Sequence, residues 1–118
     1  MPFTLKTSLT DNYLRCQAVG DLATHEIPAF IDAASVAVRD SAREKLLVDV
    51  LDFKGKMDDV DRHTAGKHVA SVFGHRIKVA VLMPANQITK MAELTATNRG
   101  ARLLVTCSEP EAIKWLTA

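Results

Sequence analysis

A chain of 118 residues, 47% hydrophobic and 25% charged, has the length and composition of one domain that buries its own core. Its formal charge of +1 at pH 7 lacks the basic excess of a nucleic-acid binder, so no nucleic-acid partner is expected. No apolar run approaches the roughly 20 residues that cross a bilayer, and Met1–Lys6 lacks the basic-then-apolar order of a signal peptide, so a cytoplasmic location is the expectation.

Phe3 to Leu9 alternates, with Phe3, Leu5, Thr7 and Leu9 on one side and Thr4, Lys6 and Ser8 on the other, as in a half-buried strand. Thr10-Asp11-Asn12 is a turn signal. Tyr13 to Val19 alternates again, Leu14, Cys16 and Ala18 opposing Arg15 and Gln17, so the two runs predict an antiparallel hairpin closed by Gly20-Asp21. Ile27, Phe30, Ile31, Ala34 and Val38 then recur at helical spacing and predict an amphipathic helix over about 24–40. Pro28 fits in its first turn, where a missing N–H costs little. Arg39, Arg43 and Lys45 gather at its end, as the helix dipole favours.

Leu46-Leu47-Val48-Asp49-Val50-Leu51 is an almost unbroken apolar run of strand length, which reads as a central parallel strand buried on both faces. It runs into Asp52–Asp59, a short loop dense in carboxylates and lysines. Asp58 or Asp59 caps a second helix, with Asp61 in its first turn. Val60, Ala65, Val69, Val72 and Phe73 form its apolar stripe, and Gly66 weakens its middle by roughly 1 kcal/mol relative to Ala. Gly74 is a stop signal. Ile77 to Met83 is a second buried strand, ending in the loop Pro84-Ala85-Asn86. Ile88, Met91, Ala92 and Thr95 mark a third helix, stopped at Asn98-Arg99-Gly100, and Arg102 to Cys107 is a third buried strand. Ser108-Glu109-Pro110-Glu111 is a capping box with Pro in the first turn of a last helix, held by Ala112, Ile113, Trp115 and Leu116.

These elements predict a single α/β domain over 1–118. It has a single-layer mixed sheet in β-β-α-β-α-β-α-β-α order, an N-terminal antiparallel hairpin followed by parallel strands. Each crossover should be right-handed. Cys16 and Cys107 both fall in predicted strands and read as buried free thiols; a disulfide would need their Cα atoms within about 7 Å.

Several constellations carry chemical meaning. Asp49, inside a buried strand, needs a partner, and an N–H, lysine or arginine near the sheet end is the favoured reading over a general acid or base. Asp52, Asp58, Asp59 and Asp61 surround one strand-to-helix connection, but capping accounts for three of them and the spacing is no calcium loop, so no metal is assigned. Lys54 and Lys56 flank Gly55 beside a helix N-terminus, where they suit a phosphate or carboxylate, although no glycine-rich nucleotide motif and no other cofactor signature is present. His63, His68 and His75, spaced five and seven apart, give no zinc pair and read as solvated; His25 lies at a helix start. No Ser/His/Asp or Cys/His arrangement emerges from local sequence. Met57, Met83 and Met91 with Phe53 and Phe73 read as core, or as the lining of an apolar pocket between the strand ends and the helices.

The order of elements, the acid-containing strand Leu47-Val48-Asp49-Val50, and the pairing of Asn98-Arg99-Gly100 with Glu111-Ala112-Ile113-Lys114-Trp115-Leu116 resemble the STAS-like superfamily, within it the small bacterial SpoIIAA-like proteins. The resemblance implies the anti-sigma-factor-antagonist-like fold. It also implies a regulatory site at the start of the helix after the central strand, where regulatory members carry an Asp-Ser dipeptide phosphorylated by a partner kinase. Here Asp58 matches the aspartate and Asp59 stands in place of the serine. A carboxylate reproduces only part of a phosphoserine's charge of about −1.5 to −2. The comparison of this branch with lipid-binding CRAL-TRIO domains implies an apolar ligand.

The expected function is a non-enzymatic binding module. It takes a small apolar or anionic ligand, or a protein partner, at the loops after the central strands, through Asp52, Phe53, Lys54, Lys56, Asp58, Asp59, Pro84 and Asn86. The alternative is a phosphorylation-independent protein–protein regulator with Asp58-Asp59 as a fixed acidic surface. An enzyme using Asp49 or Asp52 as a base ranks third. A homodimer would be built on the hairpin Phe3–Val19 or on the helix face carrying Val36 and Ala37.

Overall fold

A computed structural model describes residues 3–118; Met1 and Pro2, part of the stretch read against a signal peptide, lie outside the described residues. The alternating N-terminal runs become β1 (Thr4–Leu9) and β2 (Leu14–Val19), an antiparallel hairpin in which Leu9 faces Leu14 and Thr4 faces Val19. Then follow α1 (Ile27–Asp40), β3 (Lys45–Asp49), α2 (Asp59–Phe73), β4 (Lys78–Leu82), α3 (Met91–Asn98), β5 (Arg102–Thr106) and α4 (Glu109–Thr117). A turn of 3-10 helix, Thr24–Glu26, leads into α1, whose Pro28 occupies the first turn. The sheet order is β1-β2-β3-β4-β5, with β2 to β5 parallel, so β3 is central as expected.

Because the strands follow one another in a single direction, right-handed crossovers put α1, α2 and α3 on the same face. The pleat sorts the core accordingly. Leu46, Val48 and Val50, with Cys16, Val79, Leu103 and Val105, meet Phe30, Ala34, Val38, Val69 and Phe73 of that helical layer. Leu47, Ala80 and Leu82 point the other way and are sealed by Ala112 and Leu116 of α4, the one helix that returns after the last strand. The central strand is thus buried on both faces, which is why its sequence is apolar without alternation. Gly74, at φ 58°, ends α2 as its position suggested.

Four expectations change in three dimensions. Val60 is 71% exposed, because α2 meets the core only from Ala65 onward and its first turn overhangs the loop. Ile88 lies outside α3 but still packs on the core. At the start of α4, Ser108 Oγ accepts from Glu111 N–H at 3.3 Å. The Glu111 carboxylate instead accepts from Thr106 Oγ, and Ser108 N–H donates to that same Thr106 hydroxyl at 3.1 Å, so the box is closed through the strand end rather than reciprocally. Of the pair offered as a dimer face, Val36 is exposed at 59% while Ala37 packs towards the core.

The cysteines also separate. Cys16 is fully buried, as expected, but Cys107 lies just past β5 and is exposed, because the strand stops at Thr106. Burial pushes the Cys16 thiol up to about 11 from 9.0. In a thiol-reagent titration one group per native chain, Cys107, should react at once, and Cys16 only after unfolding. Between 9.0 and about 11 the native Cys16 keeps a proton that the unfolded chain has lost, so this residue makes stability fall as pH rises through that window. Urea unfolding across that range checks the sign.

Candidate functional site

The carboxyl ends of the parallel strands carry the connections 20–26, 50–58 and 83–90, and side chains tie these three together. Thr24 Oγ donates to Lys56 O at 2.8 Å, Gln87 Nε2 donates to Gly55 O at 2.7 Å, and Arg62 Nη2 donates to Gln87 O at 3.1 Å. Gly55 is needed for this closeness. A Cβ there would stand 2.7 Å from the Phe53 ring and 2.8 Å from Thr24 Oγ.

Along the loop after β3 the side chains divide. Phe53 and Met57 turn inward and are buried, while Asp52, Lys54, Lys56, Asp58 and Asp59 stay exposed. Phe53, expected both as a binding residue and as a lining residue of an apolar pocket, belongs to the interior. Asp58 is the N-cap of α2: its Oδ1 accepts from Asp61 N–H at 2.8 Å, and Asp61 Oδ2 accepts from Asp58 N–H at 3.0 Å. Asp59, the first residue of α2, is left free on the surface beside Val60. Across the second loop Pro84 is half-buried and Asn86 exposed on a short 3-10 turn, Ala85–Gln87. The structure thus gathers Asp52 to Asp59 and Pro84 to Gln87 at one end of the sheet. Arg62, which helps to join them, carried no signal in the sequence.

Beneath this end, between the sheet and the helical layer, lies a cavity of about 100 Å³. Phe53, Met57, Phe73 and Met83 line it, as the sequence suggested, together with residues such as Phe30, Ala34 and Val69; Met91 does not. Its walls are almost wholly apolar. Lys90, at the rim of α3, is held at φ 68° while its Nζ reaches Val105 O at 3.1 Å, and Glu93 Oε1 accepts from Val105 N–H at 2.8 Å.

Asp49 lies on the opposite face of the sheet. Arg15 Nη2 donates to its Oδ2 at 2.5 Å and Leu51 N–H to its Oδ1 at 3.0 Å, the arginine and the backbone partner that burial demanded. Arg15 also reaches Glu109 at 3.1 Å. On the same face but at the amino end of the strands, Lys78 is buried against the Trp115 ring, 4.6 Å from its centroid, and donates to Trp115 O; burial, with the charges of Arg102 and Lys45, moves its pKa down. The histidines stay at the surface as expected, and two of them also make contacts between helices. His68 Nε2 contacts Asp32 Oδ1 at 2.7 Å, joining α2 to α1, and His63 Nδ1 contacts Thr95 Oγ at 3.2 Å, joining α2 to α3. Among the described residues no group of three His, Cys, Asp or Glu could hold a metal ion, and no helix is long and apolar enough to cross a membrane.

No protein-family model matches the chain, and neither does any curated protein. Solved structures do. An anti-sigma factor antagonist from Mycobacterium paratuberculosis is 16% identical with a TM-score of 0.63, covering 98% of this chain and 95% of its own. An uncharacterised Shewanella loihica protein with a SpoIIAA-like fold is 14% identical with a TM-score of 0.58, covering 98% and 93%. The anti-sigma factor antagonist SpoIIAA in its unphosphorylated form is 18% identical with a TM-score of 0.52, covering 98% and 96%. The chain has the SpoIIAA-like, STAS fold, in the β-β-α-β-α-β-α-β-α order expected.

Proposed function

We propose that this protein is a non-enzymatic binding module whose protein-docking face is the loop after β3 together with the first turn of α2. The observation that carries the reading is Val60, 71% exposed and set among the exposed charges of Asp58 and Asp59, with Lys54 and Lys56 on the loop before them. An apolar side chain ringed by charged ones is the usual composition of a small docking centre with a polar rim. Two of the similar structures are anti-sigma factor antagonists, and Asp59 takes the place that the resemblance gives to the regulatory serine. Asp59 is a carboxylate carried by the chain itself rather than an added phosphate, so docking here needs no kinase. The enzymatic alternative loses its best residue, since Asp49, the one buried carboxylate among the described residues, is held by Arg15 and Leu51 N–H.

Affinity capture from the native cytoplasm tests the face. Partners held by the wild type should be lost with Val60→Asp and with Asp59→Lys, and kept with Leu94→Asp, an exposed site on α3. Partners retained equally by all four proteins would place docking elsewhere.

A further inference from the structure

The near-neutral total of +1 hides a division of charge along the strand direction. At the amino ends of β2 to β5 lie the connections 10–13, 41–44, 74–77 and 99–101. With the strand residues and last helical turns that adjoin them, they carry eight Lys or Arg side chains and three Asp or Glu, a net +5. One of the eight is Lys114, in the last turn of α4, which returns to this end and meets Lys78 through Trp115 O. At the carboxyl ends lie the connections 20–26, 50–58, 83–90 and 107–108. With the strand residues and first helical turns that adjoin them, they carry four Lys or Arg and ten Asp or Glu, a net −6. Lys6, Arg15, Lys67 and Asp32 lie between and complete the formal +1.

The basic end is little neutralised from within. Among the described residues its one ion pair is Arg76 with Glu44, at 3.5 Å and well exposed. Lys45, Lys78 and Arg102 begin β3, β4 and β5 and stand opposite one another in the register, on strands about 4.8 Å apart, where like charges repel. Burial first, and then the charges of Arg102 and Lys45, hold the pKa of Lys78 down. Arg99, Arg102 and Lys114 are exposed on this end, and Asp52, Asp58 and Asp59 on the other. Repulsion within each end is relieved when surfaces of opposite sign meet. The acidic surface that answers the basic end is the chain's own, but the sheet stands between the two, so they meet only between molecules.

We infer that copies of this chain associate head to tail, the basic amino end of the sheet of one copy against the acidic carboxyl end of the next. The contact is heterologous, so it adds copies in an open row instead of closing a symmetric pair. Val60, 71% exposed on the acidic end, supplies it with an apolar centre. A second copy and the partner proposed above then compete for one face. Sedimentation of the pure chain reads the first and affinity capture the second, so either can fail without the other.

Sedimentation velocity and light scattering on the whole chain test the association. At about 10 mM salt, where the screening length is about 30 Å, the average mass should climb with protein concentration to about twice the 12.9 kDa of one chain and beyond. At about 1 M salt, with a screening length of about 3 Å, it should return to that of one chain. Arg99→Glu with Arg102→Glu takes the basic end from +5 to +1, and Asp52→Lys with Asp59→Lys takes the acidic end from −6 to −2. Each double variant alone should stay monomeric at low salt. Mixed in equal amounts they should pair one to one and grow no further, since each brings one intact end. A wild type that is monomeric at low salt, association untouched by salt, a closed dimer that adds no third copy, either variant associating like the wild type, or a mixture no heavier than its components would overturn the inference. Should the arginine variant fail to fold, Arg76→Glu with Lys114→Glu reverses two other exposed charges of the same end.

Discussion

Gly66→Ala should lower the melting temperature, although a glycine in mid-helix ordinarily gains from this change. Helix propensity alone favours Ala by about 1 kcal/mol. At residue 66 a Cβ would stand 2.5 Å from the backbone carbonyl oxygen of Ala92 and 2.8 Å from Thr95 Cβ. Both belong to α3, which packs closely along α2 through this point, and Ala92 offers backbone, which cannot swing aside. Overpacking of this kind costs about 1–3 kcal/mol, and a backbone oxygen puts it towards the upper end, so the clash outweighs the propensity gain. The expected net loss is about 1–2 kcal/mol, or roughly 4 °C or more in melting temperature. Ser71→Ala, on the exposed side of the same helix, should stay within about 0.5 kcal/mol and serves as the control. Urea and thermal unfolding of the two variants decide the sign; a stabilised Gly66→Ala would mean that α2 and α3 are not this close. The Cβ would also press on the shell around His63–Thr95 and Ala92, next to the cavity.

Gly66 also marks where sequence ceases to be informative. Its pattern reads as a local weakness, whereas its reason is a distance between two helices that no local pattern encodes. The order of elements was legible because each has a strong local cause: the two-residue alternation of the hairpin, the unbroken run Leu46–Leu51, the cap at Asp58 and the stops at Gly74 and Gly100. Direction of winding then dictates that three helices share one face. What failed to show was how far each element reaches. Val60 sits in register with the apolar stripe of α2 yet lies a turn beyond the core, and Cys107 continues the apolar run of β5 yet lies one residue beyond its last pairing. The candidate site behaves likewise. The loop after β3 was legible from its charges and from its place at a strand's carboxyl end. Its division into inward Phe53 and Met57 and outward Asp52, Lys54 and Lys56 was not, nor was its fastening through Gln87 and Arg62, because those bonds join residues about 30 positions apart.

Asp49→Ala should cost about 2–3 kcal/mol, and replacing Asp49 and its partner together by apolar groups should recover part of that cost. The carboxylate is nearly buried, with 8% of its side chain exposed, and it holds Arg15 at 2.5 Å and Leu51 N–H at 3.0 Å. Removing one member of a fully buried pair costs about 3–5 kcal/mol. Arg15 is 26% exposed and keeps Glu109 at 3.1 Å, so solvent and the second acid soften the loss. Leu51 N–H also loses its acceptor at the exit of the central strand, just where the loop of the candidate site begins. Asp49→Leu combined with Arg15→Met replaces the pair by apolar groups beside Leu47 and Leu82 and should be clearly more stable than Asp49→Leu alone, with a coupling of about 1–2 kcal/mol. Denaturant unfolding of the two single variants and the double variant measures it. The outcome also bears on function. A carboxylate kept for catalysis is commonly a burden on the fold, so that its removal stabilises. A carboxylate kept to pin β2 to β3 and to set the first peptide of the loop behaves in the opposite way. A destabilised Asp49→Ala with positive coupling to Arg15 assigns Asp49 to holding the platform on which Val60 and Asp59 are displayed, and a stabilised one would return it to the list of reactive groups.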